Sequence, residues 1–115
     1  MDFNREIKTI ISAAEDKKAF DIKVLEVGGI SSIADYFVIM SGNNERQAVA
    51  IADEIEEKMT EHGMEPLNKE GHQTGRWVLL DYGDIIVHVF HKEEREFYNI
   101  EKLWIDAKSF EIENI

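Results

Sequence analysis

Tyr36-Phe37-Val38-Ile39-Met40, followed by the turn Ser41-Gly42-Asn43-Asn44 and then by Ala48, Ile51, Ala52, Ile55 and Met59, is the stretch that decides the fold. The first run is apolar without a break and rich in aromatic and β-branched residues. It predicts a central strand covered on both faces, since a strand with one wet face would alternate. Ser, Gly and Asn then break the extended chain. Asn44 with Gln47 three residues on has the form of a capping box, and it predicts a helix start. The apolar residues beyond it recur at spacings of three and four, the stripe of a helix with one buried side. His62-Gly63 ends that helix with a cation-capable residue and a C-cap glycine.

Working toward the N-terminus, Asp21–Val27 reads as a strand, with Ile22 and Val24 on one face and Lys23, Leu25 and Val27 on the other. Gly28-Gly29 stops it, and residues 30–35 form a loop. Phe3, Ile7, Ile10, Ile11 and Ala14 predict an amphipathic first helix that closes near Lys17-Lys18, where cations suit a helix C-terminus. Toward the C-terminus, Met64–Leu67 is expected to be a short edge strand, in keeping with Pro66. Lys69–Gly75 is polar and glycine-bearing and reads as a loop. Arg76–Tyr82 and Asp84–Phe90 predict a hairpin around Gly83. Lys92–Glu96 leads into a last helical segment with Phe97, Ile100, Leu103, Trp104 and Ala107 as its apolar face. The order helix, strand, strand, helix, strand, strand, strand, helix implies a single α/β domain, a mixed β-sheet flanked by helices. We place that domain at residues 1–108 and a short, frayed acidic tail at 109–115.

The composition narrows the function. The chain has 115 residues, is 43% hydrophobic and 32% charged, and contains no cysteine. That suits one globular domain and leaves no disulfide, thiolate metal site or cysteine nucleophile. The N-terminus lacks the basic-then-apolar pattern of a signal peptide. No apolar run approaches the roughly 20 residues of a membrane span. A cytoplasmic protein is expected. With 13 basic and 24 acidic residues the formal charge is −11. Binding to nucleic acid rests on neutralising phosphates with Lys and Arg, so direct DNA or RNA binding is disfavoured. A basic protein partner is favoured by charge, although the same charge also serves solubility.

Motifs for chemistry are scarce. Gly28-Gly29 and Gly71…Gly75 match neither a dinucleotide fingerprint nor a P-loop. His88 and His91 point to opposite faces of a strand, and His62 and His72 complete no ligand cluster, so no metal or cofactor is expected. His88 reads as a hydrogen-bonded histidine on the less apolar side of its strand. Asp81 and Asp84 flank the hairpin turn. They suit turn formation by their own hydrogen bonds, and they could also serve as a carboxylate pair. Trp77 and Leu79 share a face, and Tyr98 and Trp104 lie in the last helical segment. Large aromatics are mostly core residues, yet Trp and Tyr are also common interface anchors. Trp77, Leu79, Asp81, Tyr82, Tyr98 and Trp104 are the candidate protein-binding residues. No catalytic residue is expected. One competing reading, a nucleotide-binding or nucleotidyl-transferring enzyme, would need Asp35, Asp81 or Asp84 to hold a divalent metal, and a second is a dimeric scaffold for another protein.

Three ordered motifs resemble the ribosomal silencing factor (Iojap) family. The first is Ser31-Ser32-Ile33-Ala34-Asp35-Tyr36-Phe37-Val38-Ile39-Met40-Ser41-Gly42-Asn43, followed by Arg46-Gln47. The second is Gly71 to Gly75 with Trp77-Val78-Leu79-Leu80-Asp81-Tyr82-Gly83-Asp84 and Val87-His88-Val89-Phe90. The third is Glu96-Phe97-Tyr98-Asn99-Ile100-Glu101-Lys102-Leu103-Trp104. The resemblance runs from the first helix to about Ala107, with small departures at Asn44 and Ile100. It implies a nucleotidyltransferase-like fold without its active-site motif, since Ser41-Gly42 reverses the glycine-serine order and no acidic pair follows. It further implies a translational repressor that is commonly a homodimer when free. Such a factor binds the large ribosomal subunit through its ribosomal protein fourteen, blocks joining of the small subunit, and can assist late large-subunit assembly.

Overall fold

The structure is a computed structural model that describes residues 3–30, 32–104 and 107–110. Along the chain it contains α1 (Phe3–Asp16), β1 (Phe20–Glu26), β2 (Tyr36–Gly42), α2 (Glu45–Glu61), β3 (Asn68–Glu70), β4 (Trp77–Asp81), β5 (Ile85–His91), α3 (Lys92–Tyr98), α4 (Ile100–Leu103) and β6 (Lys108–Phe110). The strands form one mixed sheet in the order β3-β4-β5-β2-β1-β6. β2 and β5 at its centre are parallel, and every other pairing is antiparallel.

The apolar run that predicted a central strand is β2, buried from Phe37 to Gly42. Its residues divide between two cores. Val38 and Met40 join Val24, Val78, Leu80, Val87 and Val89 beneath α1 and α2. Phe37 and Ile39 join Leu25, Val27, Ile86, Phe90 and Ile100 on the opposite face. A strand in the middle of three layers must be apolar on both sides, which is why β2 shows no alternation. Ile7, Ile10, Ile11 and Ala14 of α1 are buried as the stripe predicts, while the side chain of Phe3 lies outside those described. α2 buries all five stripe residues, Ala48, Ile51, Ala52, Ile55 and Met59.

Three expectations need correction. The edge strand is Asn68–Glu70 and not Met64–Leu67, so β3 takes the first two residues of the expected loop. All three β3 residues are exposed, so no apolar pattern marks them, and Pro66 keeps the chain out of the ladder until Leu67 N–H reaches the Asp81 carbonyl at 2.7 Å. The last helical segment is two short helices broken at Asn99, whose left-handed backbone (φ 46°) turns the chain. Phe97 and Leu103 are therefore 78% and 76% exposed rather than buried on one face with Ile100. The expected frayed tail begins with β6, which pairs Val24 with Phe110 and Leu25 with Ser109, so the ordered sheet runs past residue 108. Residues 111–115 of that tail lie outside those described.

Candidate protein-docking face

The second face of the sheet is where aromatic residues gather. In β4 the alternation is strict: Val78 and Leu80 point under the helices, and Trp77, Leu79 and Asp81 are half-buried on the other side. β5 pairs with β4 so that Trp77 lies opposite Phe90 and Leu79 opposite His88. The Trp77 indole stacks on Phe90 with ring centres 4.8 Å apart, and its N–H donates to His88 Nδ1 at 3.1 Å. Phe37 meets His88 edge-on at 4.7 Å and Trp104 edge-on at 5.3 Å. Tyr98, half exposed, lies over Trp77 at 5.0 Å, and Phe97 packs edge-on against Tyr98 at 5.2 Å. Edge-to-face and offset pairs of this kind each add roughly 0.5–1.5 kcal/mol to what their burial contributes.

Four of the six expected contact residues therefore stand together. Trp77, Leu79 and Trp104 pack on the second core, and Tyr98 covers Trp77. Asp81 shares the strand face, but its Oδ1 accepts the Gly83 N–H at 2.8 Å and so shapes the hairpin turn. That is the turn-forming role its residue type suggests. Tyr82 does not belong to the group. It is buried in the first core beneath α1 and α2, and strand alternation puts it on the opposite side from Trp77. Its hydroxyl has no hydrogen-bond partner, and burial pushes its pKa upward.

His88 differs from expectation in a useful way. Its face is not the less apolar one but the second core, and the residue is 4% exposed. Nδ1 accepts from Trp77, so the ring proton sits on Nε2, which has no partner. Burial alone pushes the His88 pKa down to about 4, so the ring is neutral near neutrality. A neutral tautomer is what the Trp77 hydrogen bond requires.

Among the described residues no group of three or more His, Cys, Asp or Glu stands close enough to hold a metal ion. Asp35 and Asp84 meet through their backbones, Asp35 N–H donating to the Asp84 carbonyl at 2.9 Å. No helix among the described residues is long and apolar enough to cross a membrane.

One residue of this region escaped the sequence reading. Arg95 of α3 is buried, with Nε donating to Glu101 Oε1 at 2.8 Å and Nη1 donating to both the Asp21 carbonyl and Ser41 Oγ. Its only sequence signal is a cation inside a charged run, which reads as a solvated helix face.

Known proteins resemble this chain in sequence and in fold. Residues 1–115 match the family model described as ribosomal silencing factor during starvation. A protein of Halalkalibacterium halodurans named ribosomal silencing factor RsfS is 48% identical over 113 residues, covering 97% of each chain. A crystal structure of a Chromobacterium violaceum protein superposes with a TM-score of 0.87 at 36% identity, covering 90% of this chain and 87% of that one. More distantly, a Mus musculus protein named for mitochondrial assembly of the ribosomal large subunit is 34% identical over 86% of this chain and 45% of its own length. With its full length matched and its fold shared, the chain belongs to the ribosomal silencing factor family.

Proposed function

We propose that this chain represses translation by docking on the large ribosomal subunit, through ribosomal protein fourteen, so that the small subunit cannot join. The observation that carries this reading is the half-buried aromatic face of Trp77, Tyr98 and Trp104 in a chain of net charge −11. Trp and Tyr in such positions are the commonest anchors of protein interfaces. An acidic protein on a ribosome finds its complement in a basic ribosomal protein rather than in bare RNA. Trp77 and Leu79 would enter apolar pockets of the partner, with Tyr98 and Trp104 forming the neighbouring wall. The site of action is the cytoplasm, and the free chain pairs with a second copy. The relative named for large-subunit assembly supports a further part in late assembly of that subunit.

Light scattering of purified subunits as they join tests the reading. Excess protein should suppress joining while sedimenting with the large subunit alone. Unchanged joining, with no protein on the large subunit, would remove it.

A further inference from the structure

The aromatic wall of the docking face stands on two helices too short to hold themselves in place. α3 has seven residues and α4 has four, far below the length at which an isolated helix persists. Besides the packing of Tyr98, Ile100 and Trp104 on the sheet, one guanidinium fastens them. Arg95 is 9% exposed and reaches three other elements at once. Nη1 donates to the Asp21 carbonyl in β1 at 2.6 Å and to Ser41 Oγ in β2 at 2.8 Å, and Nε donates to Glu101 Oε1 in α4 at 2.8 Å. Glu101 passes the link on, its other oxygen taking Lys23 Nζ of β1 at 2.9 Å. The carbonyl of Arg95 accepts the Asn99 N–H at 2.8 Å, which closes α3 at its left-handed turn.

The rest of the fold is shaped to receive this cation. Between the pairs Phe20↔Ser41 and Lys23↔Ile39, β1 has two residues where β2 has one, a bulge. Asp21 lies in that bulge with φ 51°, a left-handed backbone that a non-glycine residue rarely adopts. Strain of this kind persists where the surroundings over-determine it, and here the Asp21 carbonyl is an acceptor for Arg95. Ser41 is 2% exposed near the carboxyl end of β2, beside its parallel partner β5, the end of an α/β sheet that ordinarily receives ligands. In this chain the Ser41 hydroxyl accepts from Arg95. Arg95, Asp21, Ser41 and Glu101 line a cleft of about 790 Å³.

We propose that Arg95 is a positioning residue for docking: by tying α3 and α4 to the bulge of β1 and the end of β2, it sets where Tyr98 and Trp104 stand. The proposal rests on the docking reading above. Arg95 itself need not touch the partner. It acts through the two aromatic residues whose helices it holds, Tyr98 three residues on in α3 and Trp104 directly after α4.

Arg95→Met keeps the aliphatic stem and removes the fork. Hydrogen exchange should show amides of residues 93–103 losing protection while those of β2 and β5 keep theirs. Affinity for the large subunit should fall about tenfold, within the range that coupled neighbours span. In a Tyr98→Ala, Trp104→Ala background the same change should weaken binding by less than about threefold, because what Arg95 positions is gone. Arg95→Lys, a point charge in place of the fork, should recover part of both readings. Equal losses in the two backgrounds overturn the proposal, and so does full protection of residues 93–103 in Arg95→Met. If Arg95→Met does not fold, Ser41→Ala removes one acceptor and is judged by the same two readings at smaller amplitude. If the unaltered chain fails to bind large subunits, the docking reading falls, and exchange alone decides whether Arg95 places the segment.

Discussion

The hydrogen bond between Trp77 and His88 links a candidate anchor to a titrating group. His88 sits with a folded-state pKa of about 4, below the ordinary 6.5, because burial disfavours its charged form. The unfolded chain therefore takes up a proton first as the pH falls. Stability owed to this residue is intact above about pH 6.5, declines between 6.5 and 4, and levels off below that, with a full span on the order of 3 kcal/mol. His88→Gln should flatten that part of the curve when urea midpoints are followed against pH. An unchanged slope would place the acid sensitivity elsewhere. Trp77→Phe keeps the stacking on Phe90 but leaves Nδ1 buried without a donor, and should lower stability by about 1–3 kcal/mol. Tyr82→Phe should do the opposite. Removing a buried hydroxyl that has no partner costs nothing in hydrogen bonds, so stability should hold or rise, and large-subunit binding should not change. Weaker binding by that variant would mean that Tyr82 reaches the partner after all.

At the scale of elements, α2 shows what local sequence specifies well. Asn44 caps it by accepting the Gln47 N–H at 2.8 Å, and Gln47 Oε1 returns to the Asn43 N–H at 2.6 Å, one residue further out than the usual capping box. The Asn44–Gln47 spacing made this legible, because both partners lie within four residues. The second use of Gln47 was not legible: its Nε2 donates to the carbonyls of Lys17 and Lys18 at 3.1 and 3.2 Å, thirty residues away, and joins the end of α1 to the start of α2. Asn44→Ala should therefore cost about 1 kcal/mol, as a lost cap does. Gln47→Ala should cost more, about 2 kcal/mol, since it also orphans the end of α1. Chemical denaturation with an unchanged m-value measures both, and equal losses would show that the contact to α1 contributes nothing. The same contrast explains the other successes and failures. Trp77 and Leu79 shared a face by strand period, and that same period put Tyr82 on the other side. Arg95 carried no local signal because its partners are Asp21, Ser41 and Glu101, brought together only by the sheet. β6 was lost for a similar reason: a three-residue strand has no period of its own, and its pairing with β1 is wholly tertiary.

For the whole molecule, the two cores divide the labour. Beneath α1 and α2 the sheet is closed by two long amphipathic helices. The other face carries the short helices α3 and α4, which leave Phe97, Tyr98 and Leu103 exposed, with Tyr98 against Trp77. Such a patch on a strongly acidic body would make association and residence respond differently to salt. If the patch meets a basic ribosomal protein, long-range attraction speeds encounter, and short-range apolar contact holds the complex. Raising the ionic strength from 0.05 to 0.3 M, chosen to shorten the Debye length from roughly 14 to 6 Å, should slow association several-fold and leave dissociation nearly unchanged. Stopped-flow mixing with large subunits, followed through tryptophan emission, separates the two rates. If the docking surface were ribosomal RNA, an acidic chain would be repelled at a distance. Salt would then accelerate its approach, and a rate that rises with ionic strength would show repulsion by the subunit's RNA outweighing attraction to a basic protein patch.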